Sequence, residues 1–209
     1  MSVFVLDHPL ARHKLGLMRD AAVGHREMRA LAAELSAMLA HEATRDLPVG
    51  RTTVKGWAGP LEVPRVDEAA VTVVPILRAG LGMLSGVLGL LPGARVGVVG
   101  LQRDEHTLQA QAYCSKLGER LDGQVALVID PMLATAGTAI ATIDMVKARG
   151  CTRIKTLFLV AAPEGLERLR QAHPEIAVHV AAIDERLNGA GYILPGLGDA
   201  GDRIFGVRG

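Results

Sequence analysis

A carboxylate, a glycine and two hydroxyls stand close together in the first nine residues of DPMLATAGTAIATI, residues 130–143. The apolar run QVALVID (124–130) ends at Asp130, and a helix-forming run, TAIATIDMVKAR (138–149), begins at Thr138. Backbone N–H groups at a helix N-terminus are unpaired, and with the helix dipole they attract a phosphate. Gly137 permits close backbone approach, and Thr135 and Thr138 add hydroxyl donors. Asp130 repels a phosphate but suits sugar hydroxyls, which donate. The loop reads as a cradle for a ribose 5-phosphate. The same residues also fit an ordinary turn in which Thr135 or Thr138 is the helix N-cap. No Lys follows the glycine, so this is not a P-loop.

Three other segments carry chemistry. Arg78 opens RAGLGM (78–83) at the end of an apolar run, where its forked donors can grip an anion beside glycines; it also fits a surface Arg at a tight turn. QRDEHTLQAQAYCSKLGERLDG (102–123) is polar, starts with Arg103, Asp104 and Glu105, and shows no clear secondary structure. Such segments are often lids, and otherwise solvated excursions. No chemistry falls to His106 or Cys114. The last segment, NGAGYILPGLGDAGDRIFGVRG (188–209), is rich in Gly and reads as loop, yet it holds Tyr192, Ile193, Leu194 and Leu197. Gly198, Asp199 and Ala200 can offer backbone donors and acceptors beside a small apolar wall, which suits a flat, neutral heterocycle. A terminus that packs down to complete the core gives the same pattern.

These segments need a scaffold, and the rest of the chain supplies one. Apolar strands are expected at 71–77, 95–101, 124–130, 153–162 and 176–183, with helices at 81–91, 138–149 and 163–172 between them. Near-continuous Val/Ile/Leu strands alternating with helices imply a parallel α/β sheet covered on both faces, with ligands at the carboxyl ends of the strands. Upstream, Met28, Leu31, Ala32, Leu35, Met38 and Leu39 fall on one face of a helix over residues 25–44, and residues 51–64 read as a hairpin. The 209 residues include 23 Lys and Arg against 22 Asp and Glu, a balance that argues against a nucleic-acid binder. Hydrophobic residues make up 49 %, a globular composition, yet no run is long enough for a membrane helix. Asp7 and His8 interrupt the start, so no secretory signal is read and the cytoplasm is the expected location. Two cysteines make neither a disulfide framework nor a metal spacing.

HPLARHKLGLMR (8–19), VPILRAGLGM (74–83), VIDPMLATAGT (128–138), LVAAPEGL (159–166) and GYILPGLGDAGDRIFG (191–206), in this order, resemble the uracil phosphoribosyltransferase family nearly end to end. The resemblance implies a type I phosphoribosyltransferase fold. It divides the single domain into an N-terminal helix and β-arm (1–64), a core (65–185) carrying a mobile lid (103–120), and a uracil-binding hood segment (186–209). It implies that uracil and 5-phosphoribosyl 1-diphosphate (PRPP) give UMP and diphosphate. The matching PRPP-binding positions are Arg78, Arg103, Asp130, Pro131, Met132, Leu133, Ala134, Thr135, Ala136, Gly137, Thr138 and Asp199. Those for uracil are Ile193, Gly198, Asp199 and Ala200. Arg103 and Asp199 are implied as the catalytic pair, acting by charge and position, with no covalent nucleophile. Mg²⁺ is implied as arriving on the diphosphate, with no dedicated protein ligand set. Activation by GTP, as in some members, and a homodimer or higher homo-oligomer are implied as well.

The sequence departs from the family pattern at two places. Ala136 stands where a glycine is usual; its methyl is harmless at negative φ and strained at positive φ. Gln102 replaces a frequent Tyr, and the lid reads HTLQAQAYCSKL (106–117). These departures motivate an alternative reading, a PRPP- or nucleotide-sensing regulator on the same fold.

Overall fold

The computed structural model describes residues 1–103 and 110–207. The chain opens with a short strand, β1 (Ser2–Val5), and helix α1 (Pro9–Arg19). Pro9 has no N–H to waste at the first helical position, and the His8 ring accepts the Leu10 N–H at 3.1 Å. Helix α2 (His25–Ala43) follows and buries the expected face, Met28, Leu31, Ala32, Leu35 and Leu39, while Met38 is half-buried. Next come β2 (Val49–Gly56) and β3 (Gly59–Val66), an antiparallel hairpin whose tip residue Trp57 is fully exposed.

Beyond a 3-10 turn (Glu68–Ala70) the α/β alternation begins. Strand β4 (Val71–Leu77) leads to helix α3 (Leu81–Leu90). Strands β5 (Arg95–Val96), β6 (Val98–Arg103), β7 (Ala110–Lys116) and β8 (Val125–Ile129) come next. The two-residue β9 (Met132–Leu133) precedes α4 (Gly137–Lys147), β10 (Arg153–Ala161), α5 (Pro163–Ala172) and β11 (Ala177–Ile183). The chain closes with β12 (Arg186–Leu187), β13 (Ile193–Leu194) and α6 (Ala200–Phe205).

The main sheet runs β1-β11-β10-β8-β4-β6-β7, with β5 added to β4 and β9 to β10. Every pairing in it is parallel except β6 with β7. Its central strands β4, β8 and β10 are buried on both sides. One face packs on α1, α2, α3 and α6 through residues such as Val73, Leu127 and Leu157; the other packs on α4 and α5 through Val74, Val128 and Phe158. This is the expected mainly parallel α/β architecture.

Several elements differ from expectation. The run expected as one strand over 95–101 is broken at Gly97. Val73 faces that neighbour and accepts the Gly97 N–H at 2.9 Å. Pro75, two residues on, faces the same way but has no N–H to donate, so the ladder lapses between β5 and β6. The segment expected to lack secondary structure contains β7, which pairs antiparallel with β6. Residues 104–109 of the expected lid lie outside the described residues. The C-terminal segment, expected as loop, holds the β12–β13 pair and α6. Strand β1 and helix α1 were not expected as elements.

Helices α2 and α3 approach closely because α3 carries glycine where they cross. A Cβ on Gly86 would collide with the Ala33 carbonyl of α2, whereas one on Gly89 meets nothing within 4 Å. Gly86→Ala is therefore expected to cost ~1–3 kcal/mol of unfolding free energy by overpacking. Gly89→Ala is expected to be neutral or to gain up to ~1 kcal/mol through helix propensity. Urea denaturation of both variants checks the contrast; equal effects would show that the crossing tolerates a side chain.

Candidate active site

The site is built from strand ends. Strands β4 and β8 pair in parallel, with Pro75 opposite Ile129, so the residues that follow each strand emerge side by side. After β4 come Arg78, exposed, and Gly80, buried. A Cβ on Gly80 would lie 2.5 Å from the Ile129 carbonyl, so glycine is what lets this turn lie against the end of β8. The Leu77–Arg78 peptide bond is cis.

Asp130 follows β8 and is half-buried. Its backbone N–H donates to the Leu157 carbonyl at 3.2 Å. Burial pushes its carboxyl up to about 8, against a hydrogen bond from the Met132 backbone that pulls the other way. It has no charged partner among the described residues. A carboxylate in this state gains from a ligand that supplies hydrogen-bond donors or positive charge.

The loop after Asp130 is held from below. The Pro131 carbonyl accepts from Leu159 and Val160 N–H at 3.0 Å each, and Leu133 accepts from Ala162 N–H at 2.9 Å. Arg168 of α5 donates to the Thr135 carbonyl at 3.2 Å. The loop then turns into α4 through Ala136, which has φ 62 and ψ −1, the one positive-φ non-glycine among the described residues. Neither Thr135 nor Thr138 caps the helix; the N-cap is Ala136, which makes no side-chain hydrogen bond. The simple N-cap reading is thereby corrected, and the methyl at 136 sits in the strained region. Its burial, 3 % exposed among residues such as Leu133 and Ala139, offsets part of that strain.

The C-terminal segment reaches the same place. Gly201 lies 3.8 Å, measured from an ideal Cβ, from the Ala79 Cβ, and Ile204 packs over Gly82. Asp202 meets Arg78 at 3.4 Å. Asp199 caps α6, its Oδ1 accepting the Asp202 N–H at 2.9 Å. Gly198 and Asp199 are exposed, while Ile193 and Ala200 are buried in the core.

The structure thus brings together Arg78, the 130–138 loop and residues 198–202. Arg103 ends β6, and its side chain lies outside the described residues. Sequence reasoning missed Arg19, Asp184 and Arg203, whose side chains support the 194–198 turn. Asp184 follows β11 at its carboxyl end, and that placement was the available signal.

The family model described as uracil phosphoribosyltransferase matches residues 5–207. The chain belongs to the uracil phosphoribosyltransferase family. It is accordingly a phosphoribosyltransferase, an enzyme of pentosyl transfer. The solved AQ2163 protein from Aquifex aeolicus is 38 % identical, with TM-score 0.93 over 98 % of both chains. At the level of fold, the chain is similar to a hypoxanthine phosphoribosyltransferase from Staphylococcus aureus (12 % identity, TM-score 0.51, 87 % of this chain and 84 % of that one). A hypoxanthine phosphoribosyltransferase from Trypanosoma cruzi is likewise similar in fold (15 % identity, TM-score 0.50, 79 % and 80 %). These share the type I phosphoribosyltransferase architecture of a mainly parallel sheet flanked by helices.

Two outcomes follow for the cradle. A carboxyl whose folded value lies above its unfolded value holds its proton more tightly in the native state. Native stability therefore falls as pH rises from the ordinary carboxylate range toward about 8. Asp130→Asn is expected to raise Tm more at about pH 9 than at about pH 5; an equal change at both, by differential scanning fluorimetry, would count against the raised value. At the loop's turn, Ala136→Gly removes a left-handed penalty of ~1–2 kcal/mol and gives up a buried methyl worth ~0.8 kcal/mol. It is expected to hold or raise the unfolding free energy, while Ala136→Val is expected to lower it by ~2 kcal/mol. Chemical denaturation of the pair reads this, and a Val variant as stable as the parent would contradict it.

Proposed function

We propose that this enzyme makes UMP and diphosphate from uracil and PRPP. The observation that carries the reading is the convergence at one sheet end of Arg78, the Asp130–Thr138 loop and the Gly198–Ala200 segment. In this reading the N–H groups at the start of α4 anchor the 5-phosphate, with Pro131, Met132, Leu133, Ala134, Thr135 and Gly137 shaping its cradle. Asp130 holds the ribose hydroxyls. Arg78 leaves Asp202 for the diphosphate, and Arg103 is assigned to the same group. Backbone groups of Gly198, Asp199 and Ala200 read the alternating acceptors and donors of the uracil edge, beside Ile193. Cytosine reverses the pattern at position 4 and is rejected.

The bond from C1 of the ribose to diphosphate breaks, and the bond from C1 to N1 of uracil forms with inversion. The N1 proton is released to solvent. Positive charge grows on the sugar ring and negative charge on the leaving group, so positioning and electrostatics carry the rate. The remote 5-phosphate supplies binding energy that aligns C1 with N1.

The donor set fits a Mg²⁺ ion that comes with its substrate. Asp130 is a carboxyl group without a charged partner among the described residues, free to meet such an ion. When bound, the ion neutralises charge on the diphosphate. Cytoplasmic location, homo-oligomeric assembly and GTP as an activator belong to the same proposal.

Incubation with labelled uracil, PRPP and Mg²⁺ is expected to yield UMP, with cytosine a poor competitor. PRPP binding by calorimetry without any UMP would favour the sensing alternative, which the strained Ala136 in the cradle also motivates.

A further inference from the structure

Gly196 is gripped at both of its backbone groups by one ion pair. Arg19, the last residue of α1, forks onto Asp184, with Nη2 to Oδ1 at 2.6 Å and Nη1 to Oδ2 at 3.0 Å. The same Nη1 donates to the Gly196 carbonyl at 2.8 Å, and the Gly196 N–H donates to Asp184 Oδ2 at 2.9 Å. The Asp184 side chain is 4 % exposed. Its backbone N–H donates to the Ala161 carbonyl at 2.8 Å, which ties the pair to the end of β10. Gly196 has φ 62, and a Cβ there would strike the Ile193 carbonyl, so the turn admits only glycine. From the other side, Arg203 of α6 donates to the carbonyls of Leu197 at 2.8 Å, Met18 at 2.6 Å and Asp20 at 2.6 Å.

The turn is thus suspended between α1, α6 and the carboxyl end of β11. Gly198, Asp199 and Ala200 follow it directly, and their backbone has little freedom once Gly196 and Leu197 are fixed. A buried ion pair is a poor source of net stability, because desolvating both charges offsets their attraction. A bidentate fork does fix geometry, and Lys cannot reproduce it. No general need of the core explains two charges here, whereas a need to hold one turn does.

We propose that Arg19 and Asp184, supported by Arg203, are positioning residues for base recognition, setting the distance and tilt at which the 198–200 backbone meets the pyrimidine edge. The inference rests on the proposed uracil site and adds to it the residues that make the site specific without touching the base. The test compares Arg19→Lys and Asp184→Asn with the parent enzyme, with Arg203→Lys as a further variant should either fail to fold. KM for uracil is expected to rise about tenfold or more, while KM for PRPP stays within about twofold. Amide hydrogen exchange is expected to quicken over 193–200 and to stay unchanged over 130–138. The two KM values rising together, or exchange quickening equally in both segments, would reduce the pair to a general structural role and overturn the proposal. So would uracil kinetics that do not move. A parent enzyme that forms no UMP defeats the transferase reading instead, and the exchange pattern alone then decides whether the pair holds the turn.

Discussion

The parallel pairing of β4 with β8 sets where Arg78 and Asp130 emerge. Val71 lies opposite Val125, and the register continues to Pro75 opposite Ile129. From there the two chains leave the sheet together, one into Arg78 and the other into Asp130. A slip of one residue would turn Val73 and Leu127 from one helical layer to the other and exchange the two cores. Burial on both faces therefore locks the register, and the register brings Arg78 and Asp130 out at the same end of the sheet. Gly80 seals the junction, since any larger residue would push the β4 turn off the Ile129 carbonyl.

The groups around this junction suit a ligand that brings hydrogen-bond donors and negative charge. Asp130 is held partly out of water with its carboxyl shifted to about 8, whereas Arg78 is exposed and rests against Asp202. Neither arrangement favours the protein in isolation. The first penalises ionisation, and the second is an exposed pair of the kind that adds little stability. Both become productive beside a polyol and a polyanion, which is what the family assignment provides.

The buried strands were legible to within a residue or two, because a run such as VTVVPIL has one reading when both sides of a sheet are covered. The hairpin was legible through its turn residues, and the long α2 through its 3.6-residue period. Elements that depend on distant partners were not. Strand β1 is a four-residue edge with every side chain exposed, so its pairing with β11 leaves no alternation to read. Helix α6 is six residues long and exists because Asp199 caps it and Ile204 is buried. At the candidate site, residue types singled out the 130–138 loop and the arginine at the strand end, which the structure brings together. The left-handed turn at Ala136 and the Arg19–Asp184 fork depend on tertiary geometry. Arg19 lay within a quoted motif, yet nothing in its neighbours pointed 165 residues downstream.

The alanine at the mouth of α4 has a further consequence. A glycine in that place would sample many backbone states in the unfolded chain, and each would have to be given up on folding. A methyl group removes most of those states at the cost of a constant steric load. The turn is therefore held in its left-handed form by the packing of that methyl with Leu133 and Ala139, not by the preference of its own backbone.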